Sequence, residues 1–131
     1  MSNEIIFDAR SLTRTYGTGA RAVRALEAVD LTVRRGERLG VVGESGSGKS
    51  TLIRLLAALD TPTAGSVTFE GRPVTGLAER DLGFLRRRVQ IVFQDPRASL
   101  DPRMKVRRII TEPLRSPLIR AELAQLDPDA R

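Results

Sequence analysis

The sequence predicts an α/β fold in which short apolar strands alternate with amphipathic helices. Three observations carry that expectation. The apolar run Leu39-Gly40-Val41-Val42 leads into a glycine-rich octapeptide, and leucines at helical spacing (Leu52, Leu55, Leu56 and Leu59) follow it. A second apolar run, Val89-Gln90-Ile91-Val92-Phe93, returns after a charged stretch at Glu79 to Arg87. Ahead of both, segments opening at Ile5-Ile6-Phe7 and spanning Ala25 to Val33 read as antiparallel strands lying beside the core.

The octapeptide is Gly43-Glu44-Ser45-Gly46-Ser47-Gly48-Lys49-Ser50, which fits G-x-x-x-x-G-K-[ST]. Its position between a strand and a helix is the context in which such a loop binds phosphate. Glycines let backbone N–H groups converge on phosphate oxygens where side chains would obstruct them, and the helix N-terminus adds its positive dipole end. Lys49 would reach the β- and γ-phosphates, and the Ser50 hydroxyl would enter a Mg²⁺ shell. The expected ligand is a nucleoside triphosphate.

The remaining elements follow in order. The first strand runs through Leu12 and Tyr16 toward Gly17-Thr18-Gly19. Val29, Leu31 and Val33 alternate with Asp30 and Thr32, the pattern of a half-buried strand, and Arg34-Arg35-Gly36-Glu37 turns the chain. The helix after the octapeptide is expected to end near Asp60, before Pro62. Ser66-Val67-Thr68-Phe69 is a further strand closed by Gly71-Arg72-Pro73. Glu79 to Arg87 is expected as a short charged helix and Val89 to Phe93 as a buried strand, broken by Gln94-Asp95-Pro96-Arg97. Val106, Ile109 and Ile110 predict a helix ending before Pro113; Ile119, Leu123 and Leu126 predict another, stopped by Pro128.

Composition narrows the chemistry. The chain has 131 residues, the size of one domain, and 40% are hydrophobic, but one Tyr and four Phe are its only aromatics. Without cysteine there is no disulfide framework or thiolate metal site, and without histidine there is no imidazole catalysis. No apolar run approaches the roughly 18 residues of a membrane span, and the N-terminus lacks an apolar signal-peptide core. A cytosolic protein, or one peripheral on the cytosolic face of a membrane, is expected. The net charge is +6, and every basic residue except Lys49 and Lys105 is arginine. Arg86-Arg87-Arg88 and Arg103, Lys105, Arg107, Arg108 form local clusters. No aromatics are interleaved with them, so solvated helix faces are expected and no nucleic acid partner.

Beyond the octapeptide, the sequence resembles the ATPase subunit of an ATP-binding cassette (ABC) importer, in the oligopeptide/dipeptide branch. The stretch from Val41 to Leu52 carries that resemblance, with Gln90-Ile91-Val92-Phe93-Gln94-Asp95-Pro96-Arg97-Ala98-Ser99-Leu100-Asp101-Pro102-Arg103-Met104 similar to the branch's Q-loop, and Thr111-Glu112-Pro113-Leu114 to an element after it. The resemblance implies a P-loop NTPase core with an incomplete parallel sheet, an N-terminal antiparallel β subdomain and the start of an α-helical subdomain. Residues 1–95 would hold the β subdomain and core, and 96–131 the Q-loop and the start of the helical part.

Site roles follow from the resemblance. Gly43, Ser45, Gly46, Ser47, Gly48 and Lys49 would cradle the phosphates of ATP, Ser50 and Gln94 would ligate Mg²⁺, and Thr51 or Gln94 would contact the γ-phosphate. Tyr16 would stack on adenine. The segment Gln94 to Met104 would dock transmembrane permease subunits, and a second ATPase subunit would complete a dimer. Arg97 stands where an aromatic is common and Asp101 where Asn is common, both in the docking loop.

The family's signature motif, its Walker B Asp-Glu and its switch histidine do not occur after Leu114, so no catalytic residue is assigned. The sequence is expected to be close to the N-terminal half of a cassette. Its P-loop strand would then lack the neighbour that the Walker B strand provides, and marginal folding or aggregation is expected. Two other classes remain beside the ATP-binding subunit. One is a docking module for a membrane subunit, without turnover. The other, a small P-loop kinase or GTPase, finds no [NT]-K-x-D motif and no use for the Q-loop. Cassettes of the branch that carry nickel or glutathione are nearly identical, so peptides are the first expectation among several small solutes.

Overall fold

The computed structural model describes residues 3–126, in two units that divide between Gln90 and Ile91. The first is organised by a four-stranded sheet in the order β2-β1-β3-β4, with every neighbouring pair antiparallel. Strands β1 (Ile5–Tyr16) and β2 (Val23–Arg34) form a long hairpin whose connection contains a 3₁₀ turn at Gly19–Arg21. Strand β3 (Ala64–Phe69) lies on the other side of β1, and the short β4 (Arg72–Pro73) folds back on β3.

The hairpin is bulged, and the bulges decide which side chains reach the core. Ala9 and Leu12 are both fully buried although they stand three positions apart, with two residues between them. Strict alternation would send them to opposite faces. Ser11 has φ 48°, and the register with β2 shifts between Ala9 and Leu12. The extra residue restores Leu12 to the inner face. The N–H of Ser11 donates to Asp30 Oδ1 at 2.7 Å, and the N–H of Ala28 (φ 47°) donates to Thr13 Oγ1 at 3.0 Å. Side chains thus satisfy donors that the irregular ladder leaves over. Gly65 of β3 passes over the first bulge at φ 86°. A Cβ there would lie 2.4 Å from the Ser11 carbonyl oxygen and 2.5 Å from that of Arg10.

Helix α1 (Lys49–Leu56) lays Leu52 and Leu55 into the core with Leu12, Val67 and Phe69. It stops earlier than its leucine spacing implies. Ala58 turns to φ 52°, and Leu59, expected on the packed face, is 44% exposed. The Arg86 guanidinium donates to the carbonyls of Ala57 and Ala58 and pairs with Glu79, supplying a cation where the helix C-terminus is negative. The Glu79 to Arg87 stretch is therefore not one helix. It is a 3₁₀ turn at Glu79–Asp81 followed by α2 (Gly83–Arg86), with Leu82 buried between them and Leu85 buried within α2.

Two expected core strands are absent. Leu39 to Val42 and Gln90 to Phe93 have no sheet pairing, while Val89 closes the turn after α2 by donating to the Leu85 carbonyl at 2.9 Å. An apolar run becomes a strand only when a second strand takes its hydrogen bonds. Among the described residues the sheet is β2-β1-β3-β4, and no strand of it lies against Leu39 to Val42. Their apolar side chains are left outward, with Val42 95% and Val92 92% exposed.

In the second unit, Asp95 Oδ1 accepts from the N–H of Arg97 at 3.0 Å, and Asp101 Oδ1 from that of Arg103 at 2.9 Å. These are side-chain-closed turns. The closure uses a side-chain carboxylate oxygen, an acceptor that the amide oxygen of Asn also offers. Helix α3 (Val106–Thr111) then passes into a 3₁₀ turn at Glu112–Arg115, and α4 (Pro117–Leu126) follows. Pro128 lies outside the described residues.

Replacing Gly65 by Ala should cost at least about 2 kcal/mol, because the left-handed conformation and the close carbonyls both oppose a Cβ. Urea denaturation of Gly65→Ala beside the parent chain measures it; an unchanged midpoint would contradict the packing described.

Candidate functional site

The octapeptide is built around its last glycine. Gly48 adopts φ 95° and caps α1 without any side-chain hydrogen bond to the helix. The first-turn N–H groups of α1 consequently have no capping side chain, which is the donor array an anion needs. A Cβ on Gly48 would fall 2.5 Å from the Ala25 carbonyl oxygen and 3.0 Å from a Leu26 methyl. The loop's end is therefore seated directly on β2. Ala25 is free to face it because it is the extra residue where the β1–β2 register jumps from Thr15↔Arg24 to Arg14↔Leu26.

Lys49 crosses the loop. Its ammonium donates to the Gly43 carbonyl at 2.7 Å, to the Glu44 carbonyl at 2.5 Å and to Ser47 Oγ at 3.0 Å, which engages all three of its donors. Ser47 N–H closes the turn to the Glu44 carbonyl at 3.2 Å. At Gly43 a Cβ would meet Ser47 Oγ at 2.6 Å, so a side chain there would displace the Ser47 hydroxyl from its place beside Lys49. Gly46 takes φ 77° with open space around it. Ser45 and Ser50 are exposed, and Thr51 is half-buried on the first turn of the helix. Residues Gly43 to Thr51 thus form one curled loop crossed by the Lys49 side chain, with small residues where a phosphate chain would approach. The donor set and the missing cap fit a polyphosphate.

Tyr16 ends β1 opposite Val23, two residues along β2 from Ala25 and one strand across. The hairpin therefore carries it to the same end of the sheet as Gly48. Its hydroxyl donates to Asp60 Oδ2 at 2.7 Å, and the Arg14 guanidinium lies 4.3 Å from the ring centroid. Arg14 also grips Asp60 with two nitrogens, at 3.1 and 2.9 Å. The Tyr16 hydroxyl first, then the Thr61 N–H and Arg14, hold the Asp60 carboxyl below the usual carboxylate range, against the opposing effect of partial burial. Sequence reading missed Arg14 and Asp60. Arg14 had a local signal, standing two residues from Tyr16 on a strand, but Asp60 arrives from 44 residues away and had none. Gln94 belongs to the second unit, in the turn after Phe93.

The profile of the ABC transporter family matches residues 26–129. The chain belongs to that family. Among curated relatives, the probable peptide ABC transporter ATP-binding protein y4tS of Sinorhizobium fredii is 48% identical over 119 residues, covering 86% of this chain and 34% of that protein. The putative oligopeptide transport ATP-binding protein YkfD of Bacillus subtilis is 51% identical over 94 residues, covering 72% and 29%. This chain thus spans about a third of the length of these relatives. The dimeric structure of MJ0796, a bacterial ABC transporter cassette, superposes with a TM-score of 0.69 at 31% identity, over 83% of this chain and 47% of that one. The fold is that of part of an α/β P-loop cassette, its antiparallel β subdomain and first helices formed. No helix among the described residues is long and apolar enough to cross a membrane.

A carboxylate held below its usual range stabilises the fold at neutral pH, and that contribution disappears as the pH falls through its folded-state value. The melting temperature of Asp60→Asn should accordingly lie below that of the parent chain at pH 7, and the gap should close in acid. A gap that persists unchanged to the acid limit would contradict this coupling.

Proposed function

We propose that this chain is the ATP-binding part of the ATPase subunit of an ABC importer, with peptides as the transported class. The observation that carries the reading is the seat of Gly48 on β2. It presents an uncapped helix N-terminus and Lys49 to one point, as a triphosphate requires. Gly43, Ser45, Gly46, Ser47 and Gly48 would supply backbone donors, and Lys49 would exchange a carbonyl for phosphate oxygen. The Ser50 hydroxyl and the Gln94 amide oxygen suit Mg²⁺, a hard cation that takes oxygen ligands. When bound, the ion would neutralise charge on the phosphates. Thr51 or Gln94 would contact the γ-phosphate, and the Tyr16 ring would carry the base. No catalytic base is assigned to these residues. Hydrolysis is proposed for the assembled transporter, in which two cassettes close on ATP at the cytoplasmic face of the membrane.

A docking role for the second unit accompanies this. Ser99, Leu100, Asp101, Met104, Ile109, Glu112 and Pro113 line an open, largely apolar groove. It overlaps the Gln94 to Met104 segment proposed to contact the permease, and the apolar lining supports that use. Peptides as cargo rest on the relatives' names: y4tS is called a peptide transporter protein and YkfD an oligopeptide one.

Equilibrium binding of Mg²⁺-ATP tests the site. Saturable binding is expected, weakened ~10- to 100-fold in Lys49→Ala by loss of charge-assisted hydrogen bonds to phosphate. Equal affinity in the two proteins would overturn the assignment.

A further inference from the structure

The Arg14–Tyr16–Asp60 cluster is more elaborate than a strand end requires. Its three side chains come from β1 and from the turn after α1, and each touches the other two. Asp60 accepts the Tyr16 hydroxyl at 2.7 Å and two guanidinium nitrogens of Arg14 at 3.1 and 2.9 Å, while that guanidinium lies 4.3 Å from the Tyr16 ring centroid. Asp60 is further tied by its Oδ1 to the Thr61 N–H at 2.8 Å. The Arg14 and Asp60 side chains are only 24% and 15% exposed, whereas Tyr16 keeps 39% of its surface open. The two charged groups are withdrawn and the aromatic ring is presented.

That arrangement constrains the ring at two points. The hydroxyl anchor fixes the far end of the side chain, and the guanidinium covers one face. A planar base can then stack only on the opposite face. The Asp60 end of the clamp belongs to the turn that terminates the phosphate-loop helix, so ring and loop are tied to one helix at its two ends.

We infer that Arg14 and Asp60 are positioning residues for nucleotide binding, holding Tyr16 as a one-sided platform for the purine. The inference rests on the proposed ATP site and deepens it. Preorganising the ring removes an ordering cost that binding would otherwise carry. The clamp therefore acts on the base-dependent part of affinity and leaves the phosphate-dependent part alone.

Inorganic tripolyphosphate separates those parts, because it offers the loop its phosphates without a base. The full chain, Arg14→Lys and Tyr16→Phe are titrated with Mg²⁺-ATP and with Mg²⁺-tripolyphosphate. Arg14→Lys keeps the charge but loses the planar fork, and Tyr16→Phe keeps the ring but loses its anchor. Each should bind ATP ~3- to 10-fold more weakly while binding tripolyphosphate as the parent does. Unchanged ATP affinity in both variants would overturn the clamp, and so would equal weakening for both ligands, the signature of a merely structural role. If the parent binds ATP no better than tripolyphosphate, the platform fails while the phosphate site stands. If it binds neither, the proposed function fails with it.

Discussion

The contact between Gly48 and the Ala25 carbonyl is the constraint on which the rest of the site depends. A glycine at φ 95° is the only residue type that meets β2 this closely without strain. Because it does, α1 starts at a fixed place against the sheet and its first-turn donors face outward together. The leucines of α1 then fall onto the inner face of a sheet whose bulges have aimed Leu12 and Leu26 to receive them. The hairpin's irregularities are thus part of the site. The bulge at Ser11 restores the core face of β1, and the unpaired Ala25 supplies the surface on which the loop sits.

Local pattern made some of this legible and long-range geometry hid the rest. The octapeptide was readable because glycines, lysine and serine at fixed spacing have one good physical explanation between an apolar run and an amphipathic helix. The hairpin was readable from the apolar residues near Ile5 and the alternation through Val29 to Val33. The helices before Pro113 and at Ile119 to Leu126 were readable from periodicity and proline. By contrast, Leu39 to Val42 and Val89 to Phe93 look like strands in composition, but pairing is a property of two segments and neither run joins the sheet. The early end of α1 was hidden for a similar reason: Arg86, 29 residues from Ala57, accepts the role of C-terminal cation. Asp60 was invisible as a partner of Tyr16 because nothing in a linear pattern announces a contact between a strand and a distant turn.

The same exposed segments bear on how the chain would work in an assembly. Val42, Val92 and Phe93 present apolar surface on two runs that also lack ladder partners. Such segments are natural sites for added strands or for association between chains. The phosphate loop nonetheless keeps its geometry through the β2 contact and the Lys49 crossing, neither of which requires those strands. The geometry of the phosphate loop and the pairing of those two runs are therefore separable in this fold.

That separation is most directly tested by amide chemical-shift mapping of the isotope-labelled chain as Mg²⁺-ATP is added. The account predicts that the largest perturbations fall on the backbone N–H groups of Gly46 to Thr51, with smaller ones at Tyr16 and around Ala25. Perturbations confined to the arginine-rich stretch from Arg103 to Arg108, with the loop unmoved, would contradict it.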